Sequence, residues 1–253
     1  MTSPQPPVTD VGVGAGTTFS IIALEAAFTA AVLAAYTAWL AEVLALLFQV
    51  LPINPGLIWS LQPSWNRHVR VLMRDLENIA RMGWEAANRD LNTAMPFNVT
   101  NPVLQDQLRR TQNFMVDTPD EVYRMVLQVL NQHAGDQAQQ IRAVQQILDV
   151  TGTVNWPARA KTVAVTEVNR AFHFGSLALA MQAPGAVVKK WIAKDDRATR
   201  PAHAAADNQK QPVMQPFIVG GEPLMAPGDP SGSAWNVISC RCEISYRSDE
   251  NGS

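Results

Sequence analysis

The sequence predicts an α+β fold that is mostly helical, with long N-terminal helices followed by a small C-terminal α+β module containing a short antiparallel sheet. Three observations carry this. The run from Thr18 to about Leu51 is rich in Ala and Leu and free of Gly and Pro, a composition of high helix propensity. Apolar residues then recur at three- and four-residue steps in successive segments, the period of amphipathic helices. After Pro184-Gly185 the pattern changes to short β-branched runs bounded by turn residues, which mark strands. With 253 residues, 47% hydrophobic and 17% charged, the chain can bury a sizeable core in one or two domains.

Residues 1–17, rich in Pro, Gly, Ser and Thr, read as a flexible tail, and a helical region spans 18–154. In its first helix the stretch from Ala26 to Ala41 carries no formal charge. A helix apolar nearly all round must be buried, in a core or against a partner. Glu25 and Glu42 bracket too short a stretch for the ~20 apolar residues a bilayer span needs, and no Lys or Arg flanks it, so no stable membrane span is expected. The lack of a basic segment before this run also argues against an export signal.

Pro52, Pro55, Gly56 and Pro63 mark a break. Residues 66–94 set Leu72, Leu76, Ile79, Gly83 and Ala87 on one helical face. Asn101-Pro102 reads as an N-cap with proline at the first helical position. Thr118-Pro119-Asp120-Glu121 has the spacing of a capping box, and Val122, Met125, Val126, Val129 and Leu130 continue that helix. Further helices are expected at about 136–149, with Ile141, Val144 and Leu148 inward, and at 157–181. Ala186–Ile192 reads as a strand, Phe217–Val219 and Glu222–Leu224 as a hairpin about Gly220-Gly221, and Val237–Tyr246 as the clearest strand. Residues 248–253 read as a second flexible tail.

The 20 basic and 22 acidic residues leave a charge of -2, which supplies no global reason to bind nucleic acid. The distribution is uneven. Arg67 is the first basic residue, and all 5 lysines lie at or after Lys161. The local excess around Lys189, Lys190, Lys194, Arg197 and Arg200 is the best candidate for DNA contact. Two cysteines form no disulfide framework and suit a reducing compartment. No Gly-x-Ser-x-Gly, His-Glu-x-x-His or Gly-Lys-Ser/Thr motif occurs, so the common hydrolase and NTPase mechanisms lack support, and no catalytic residue is assigned.

Most of the chemistry sits in the last quarter. On a strand, Ile238, Cys240, Cys242, Ile244 and Tyr246 would share the apolar face, making the cysteines small buried hydrophobes. Thiols two residues apart on one strand are too far apart for a disulfide. A metal site, zinc being the candidate ion, would combine Asp195, His203, Cys240 and Cys242, although Cys-x-Cys is shorter than the usual zinc spacing. Asp195, Arg200 and His203 would otherwise form a hydrogen-bonded clamp at a charged turn, followed by a short helix opened by Thr199 and Pro201. Asp229, within Gly228-Asp229-Pro230-Ser231-Gly232, reads as a turn in which the carboxylate caps its own backbone.

Thr166-Glu167, Trp191, Asp195-Asp196-Arg197, Thr199-Arg200, His203, Pro227-Gly228-Asp229 and Cys240-Arg241-Cys242 together resemble the phage Mu protein F-like (MuF) domain of tailed-phage head morphogenesis proteins, also called minor capsid proteins. The resemblance covers about 155–246, giving a MuF-like module at 155–247. Val165 stands where the family commonly has arginine, and Ser239 where asparagine is usual. The resemblance implies a low-copy structural protein in the capsid interior near the portal vertex, present in the host cytoplasm during assembly. Its expected partners are the portal protein, other head proteins and packaged double-stranded DNA, and its role lies in head assembly and genome delivery. No toxin domain is expected after the module. The rival expectation is a capsid maturation protease, or another head-associated enzyme, using the His203 region.

Overall fold

The computed structural model describes residues 21–194 and 196–248. Both expected tails apart from Ser248, the expected start of the first helix at Thr18, and Asp195 lie outside the described residues. Six helices come first: α1 (Ile21–Leu47), α2 (Gln62–Asp90), α3 (Pro102–Val116), α4 (Thr118–Gln132), α5 (Gln137–Leu148) and α6 (Trp156–Ala180). A small module follows, with β1 (Val187–Ile192), α7 (Pro201–Ala205), β2 (Lys210–Pro212), β3 (Phe217–Val219), β4 (Glu222–Leu224), α8 (Ala234–Val237) and β5 (Glu243–Ser248). The mostly helical α+β fold is as the sequence predicts.

α1 is long and apolar enough to cross a membrane by length and composition. In the fold its Phe28, Val32, Tyr36, Trp39, Leu40, Val43 and Leu47 are buried, while Ala23, Ala26, Ala30, Ala34, Ala38 and Ala41 line its exposed side. α2 buries Leu72, Leu76, Ile79, Gly83 and Ala87, the face its period predicts. Side-chain caps start three helices: Asn101 accepts from the Val103 and Leu104 amides, Asp136 from Gln139, and Asn155 from Ala158. Each satisfies backbone donors that the first turn leaves orphaned. The expected capping box at Thr118 is not formed. Thr118 already lies inside α4, Asp117 is the N-cap residue without a side-chain cap, and the Thr118 hydroxyl donates back to the Met115 carbonyl.

α6 is the central helix, with most of its residues from Val163 to Ala180 buried. It forms its largest contact with α2 and its next with α1. The α2 contact is one of backbone against backbone: a Cβ on Gly83 would lie 1.9 Å from the Phe172 carbonyl oxygen, and one on Gly175 would lie 1.9 Å from that of Ala80. Tryptophans tie the surrounding turns to the bundle through indole N–H groups. Trp65 donates to Met115, Trp84 to Met95 and Trp156 to Ile147, so each large ring is buried without stranding its polar atom.

The sheet has the order β2-β1-β5, antiparallel throughout, and β3-β4 form a separate hairpin. Gly220 and Gly221 turn that hairpin at φ 59° and 84°, a region open to glycine at little cost. One correction concerns the last strand. Residues expected to be a continuous strand over Val237–Tyr246 instead end α8, bend, and become β5 only at Glu243. The cause is Ser239, at φ 54°, which breaks the two-residue alternation before both cysteines. The main core of the bundle reaches Val187, Val213 and Tyr246 of the module. A second, smaller core comprises Trp191, Ala206, Phe217, Val219, Leu224, Cys240 and Cys242.

The glycine contact generates a direct test. Gly175→Ala is expected to destabilise the protein by about 3 kcal/mol, at the upper end of overpacking costs because backbone rather than a flexible side chain must move. Chemical denaturation measures this, and an unchanged midpoint would mean that α2 and α6 do not touch at Gly175.

Candidate functional site

The site grows from the bend that replaced the expected strand. Ser239 takes a left-handed conformation that asparagine tolerates better than most non-glycine residues, and its amide donates to Thr166 Oγ1 on α6 at 2.9 Å. Thr166 in turn donates to the Thr162 carbonyl. This pins the chain so that Cys240 and Cys242 both turn inward toward α7, which presents His203. Proline at the start of α7 sets that short helix, but Arg200, not Thr199, is its N-cap residue.

His203 Nδ1 lies 3.3 Å from Cys242 Sγ and 3.6 Å from Cys240 Sγ. The three ligand atoms all lie within 4.8 Å of one another and belong to buried residues, and both cysteines are free. Trp191 packs edge-on against the imidazole at 5.9 Å and against Phe217 at 5.3 Å, walling the cluster from the sheet side. A cavity of ≈ 20 Å³ adjoins it, lined in part by Lys194, Asp196, Thr199 and Arg200, room enough for one water-sized occupant.

The spacing can be tested against a tetrahedral ion. An imidazole nitrogen at roughly 2.1 Å and a thiolate at roughly 2.3 Å from zinc stand about 3.6 Å apart, close to both separations here. The residues therefore fit a metal such as zinc, with three protein ligands. The thiols are already unequal. Donation from the Cys242 thiol pulls Cys240 below its ordinary pKa, while Cys242 is pushed well up, because it holds that shared proton and because it is buried. A cation that takes both sulfurs must displace that proton.

Of the four candidate ligands read from the sequence, His203, Cys240 and Cys242 converge, and Asp195 lies outside the described residues. The neighbours expected for the thiols are partly corrected: Ile238 is 42% exposed and Tyr246 belongs to the main core. The expected clamp of Arg200 on His203 is also corrected. Arg200 donates to the Ile238 carbonyl at 2.5 Å and lies over Trp235, while the imidazole faces the thiols. Asp196 closes the charged turn, accepting from the Ala198 amide and the Thr199 hydroxyl and pairing with Arg241 at 2.9 Å. Arg197 is exposed.

The other motif residues build the wall behind the site. Glu167 is buried, accepting from Thr111 at 2.6 Å and from Arg170 at 2.7 Å. Arg170 also donates to the Gly228 carbonyl at 2.7 Å. Asp229 receives the Ser231 amide and hydroxyl, as the turn reading predicts, and also the Met225 amide. Arg170 and Thr111 escaped sequence reasoning. The three-residue step from Glu167 to Arg170 was the available signal for the first, and nothing local marks the second.

The DNA candidates separate. Lys189 is fully buried, its ammonium donating to the Met225 carbonyl at 2.7 Å and lying 4.7 Å from the Phe217 ring centre, so it is withdrawn as a DNA contact. Lys190 is half-buried and Lys194 exposed. Comparison with known protein families, curated proteins and solved structures finds no match to this chain.

Burial lowers the pKa of Lys189 to about 8. Between pH 8 and the ordinary lysine value near ~10.4 the unfolded chain binds the proton more fully than the folded one, so this residue's contribution rises with pH across the window and is lost as pH falls through 8. Wild type is therefore expected to gain about 1.5 kcal/mol relative to Lys189→Met between pH 8 and 9.5. Urea denaturation of both proteins at the two pH values checks this, and parallel pH profiles would contradict it.

Proposed function

We propose that this protein is a structural minor capsid protein of the MuF-like class, working at the portal vertex in head assembly and genome delivery, and that zinc bound by His203, Cys240 and Cys242 holds its C-terminal module. The observation that carries the reading is the convergence of the residues on which the family resemblance rests. Thr166 holds the bend before the cysteines, Trp191 covers the imidazole, and Glu167 orients Arg170 onto the turn containing Asp229. They are tied into a closed junction between α6 and the sheet module. A catalytic cleft would leave its reactive groups open to substrate, whereas the three metal-ligand residues here are each at most 3% exposed.

Zinc would serve as a cross-link between α7 and the bend, joining segments that the chain separates by more than thirty residues. Structural zinc contributes its binding energy to folding because the unfolded chain has no preformed site. The enzyme alternative draws on the contact between His203 and Cys242, a possible base and nucleophile. Burial of all three residues favours a closed ligand set over a nucleophile that substrate has to reach.

Two measurements test the reading. Purified protein is expected to carry one zinc per chain by elemental analysis, with affinity falling as pH falls, and Cys240→Ser, Cys242→Ser or His203→Ala should each lose the metal and lower the melting temperature. Metal-free protein of undiminished stability would remove the zinc. Fractionated virions should retain the chain at low copy number with portal. Its absence from virions would overturn the head-protein reading, and a stable His203→Ala protein that enters virions but leaves the major capsid protein unprocessed would establish the protease instead.

A further inference from the structure

The register of the sheet joins Lys190, a candidate for DNA contact from the sequence, to two cations distant in the chain. β1 alternates Val187, Lys189 and Trp191 inward with Val188, Lys190 and Ile192 outward, the first set buried and the second half-buried. Lys190 pairs directly across from Lys210 on β2 and Ser245 on β5, while Val188 pairs with Pro212 and Arg247. Directly paired residues on antiparallel strands share a face. The open side of the sheet therefore carries Lys190, Lys210 and Arg247 together, drawn from three strands and from positions up to 57 residues apart (247 − 190 = 57).

This arrangement costs stability within the fold. Lys190 and Lys210 stand opposite each other, with Cβ atoms about 5 Å apart, and like charges so placed are destabilising. Among the described residues none of the three cations belongs to an ion pair, since the ion pairs involve Arg109, Arg110, Arg159, Arg170 and Arg241. The acid that shares this face is Glu243, opposite Ile192 at the far end; Asp249 and Glu250 lie outside the described residues. Half-exposed Val188 and Ile192 sit between the charges, so the face is neither evenly solvated nor covered by another element.

The geometry points to the open face of the β2-β1-β5 sheet as a docking surface for the phosphodiester backbone of duplex DNA, through Lys190, Lys210 and Arg247. Charge complementarity selects this occupant. Duplex DNA carries about one negative charge per 1.7 Å of axis, so cations about 5 to 8 Å apart on neighbouring strands meet phosphates in many orientations without base contacts. An acidic polypeptide would have to bring widely spaced carboxylates into register with the same three points. Lys189, of the inward set, takes no part.

The test is fluorescence anisotropy of a labelled 30-base-pair duplex titrated with the full chain at several salt concentrations. With three phosphate contacts, log affinity should fall against log salt with a slope of about −2.7, a loss of roughly 40-fold between 50 and 200 mM. Lys190→Gln, Lys210→Gln and Arg247→Gln should each flatten the slope by about one, equally for duplexes of unrelated sequence. Lys161→Gln, on the exposed surface of α6, should leave it unchanged. Lys210→Gln should fold at least as stably as wild type, because it relieves the like-charge pair, so lost binding in that variant is not unfolding. No binding at 50 mM salt, a triple variant that binds as wild type, or competition by poly-glutamate as effective per charge as by DNA would each overturn the proposal. The outcome is separable from the head-protein reading, since a virion protein retained with portal yet indifferent to DNA sinks this inference alone.

Discussion

The crossing of α2 and α6 at Gly83 and Gly175, backbone against backbone, governs where everything else can go. With no side chain between the backbones there, α6 can neither slide nor rotate about its axis without collision, because packed interiors do not deform continuously. Its remaining faces are then assigned. One side receives α1, where Asn169 donates to Glu25 at 2.6 Å. Another points Thr166, Arg170 and Ser176 at the module, meeting Ser239, Gly228 and Tyr246 respectively. The helix is thus both the centre of the bundle and the template for the site.

That template explains why so much polarity is buried at the junction. Glu167 and Arg170 form an ion pair whose side chains are 3% and 9% exposed, and burying such a pair costs more than its attraction returns unless hydrogen bonds satisfy the remaining polar atoms. Here Thr111 and the Gly228 carbonyl supply them. The pair gives geometry in exchange: a loop with little apolar content is fixed to one place on a helix. The His-Cys-Cys cluster does the same for the neighbouring bend, where two sulfurs and an imidazole replace the apolar side chains that would otherwise fill the space.

How much of this was legible depended on whether the cause was local. Helices with apolar periods, the caps at Asn101 and the Gly220-Gly221 hairpin follow from neighbours within a few residues, and all are present. The capping box failed because Thr118 found a nearer acceptor in Met115. The Val237–Tyr246 strand failed because alternation presumes extended backbone at every step, and Ser239 is left-handed under a bond from a residue far back in the chain. Lys189 was misread for the same kind of reason. Its charge suggests solvent, while the Met225 carbonyl and the Phe217 ring that accommodate it lie in other elements. The cysteines and His203 were individually visible as candidates, but their meeting required the bend.

The division into a large and a small core bears on the order of events during synthesis. The smaller core, gathered around Trp191 and Phe217, contains too little apolar material to stand as an independent folding unit. Its wall is α6, which leaves the ribosome with the rest of the bundle before any strand of the three-stranded sheet has been made. Translation therefore delivers a finished surface first and the segment that depends on it second. In the mature protein the same hierarchy runs backward. The segments around the smaller core are expected to open while the bundle stays closed, their amides exchanging with solvent sooner than those of the α2–α6 crossing.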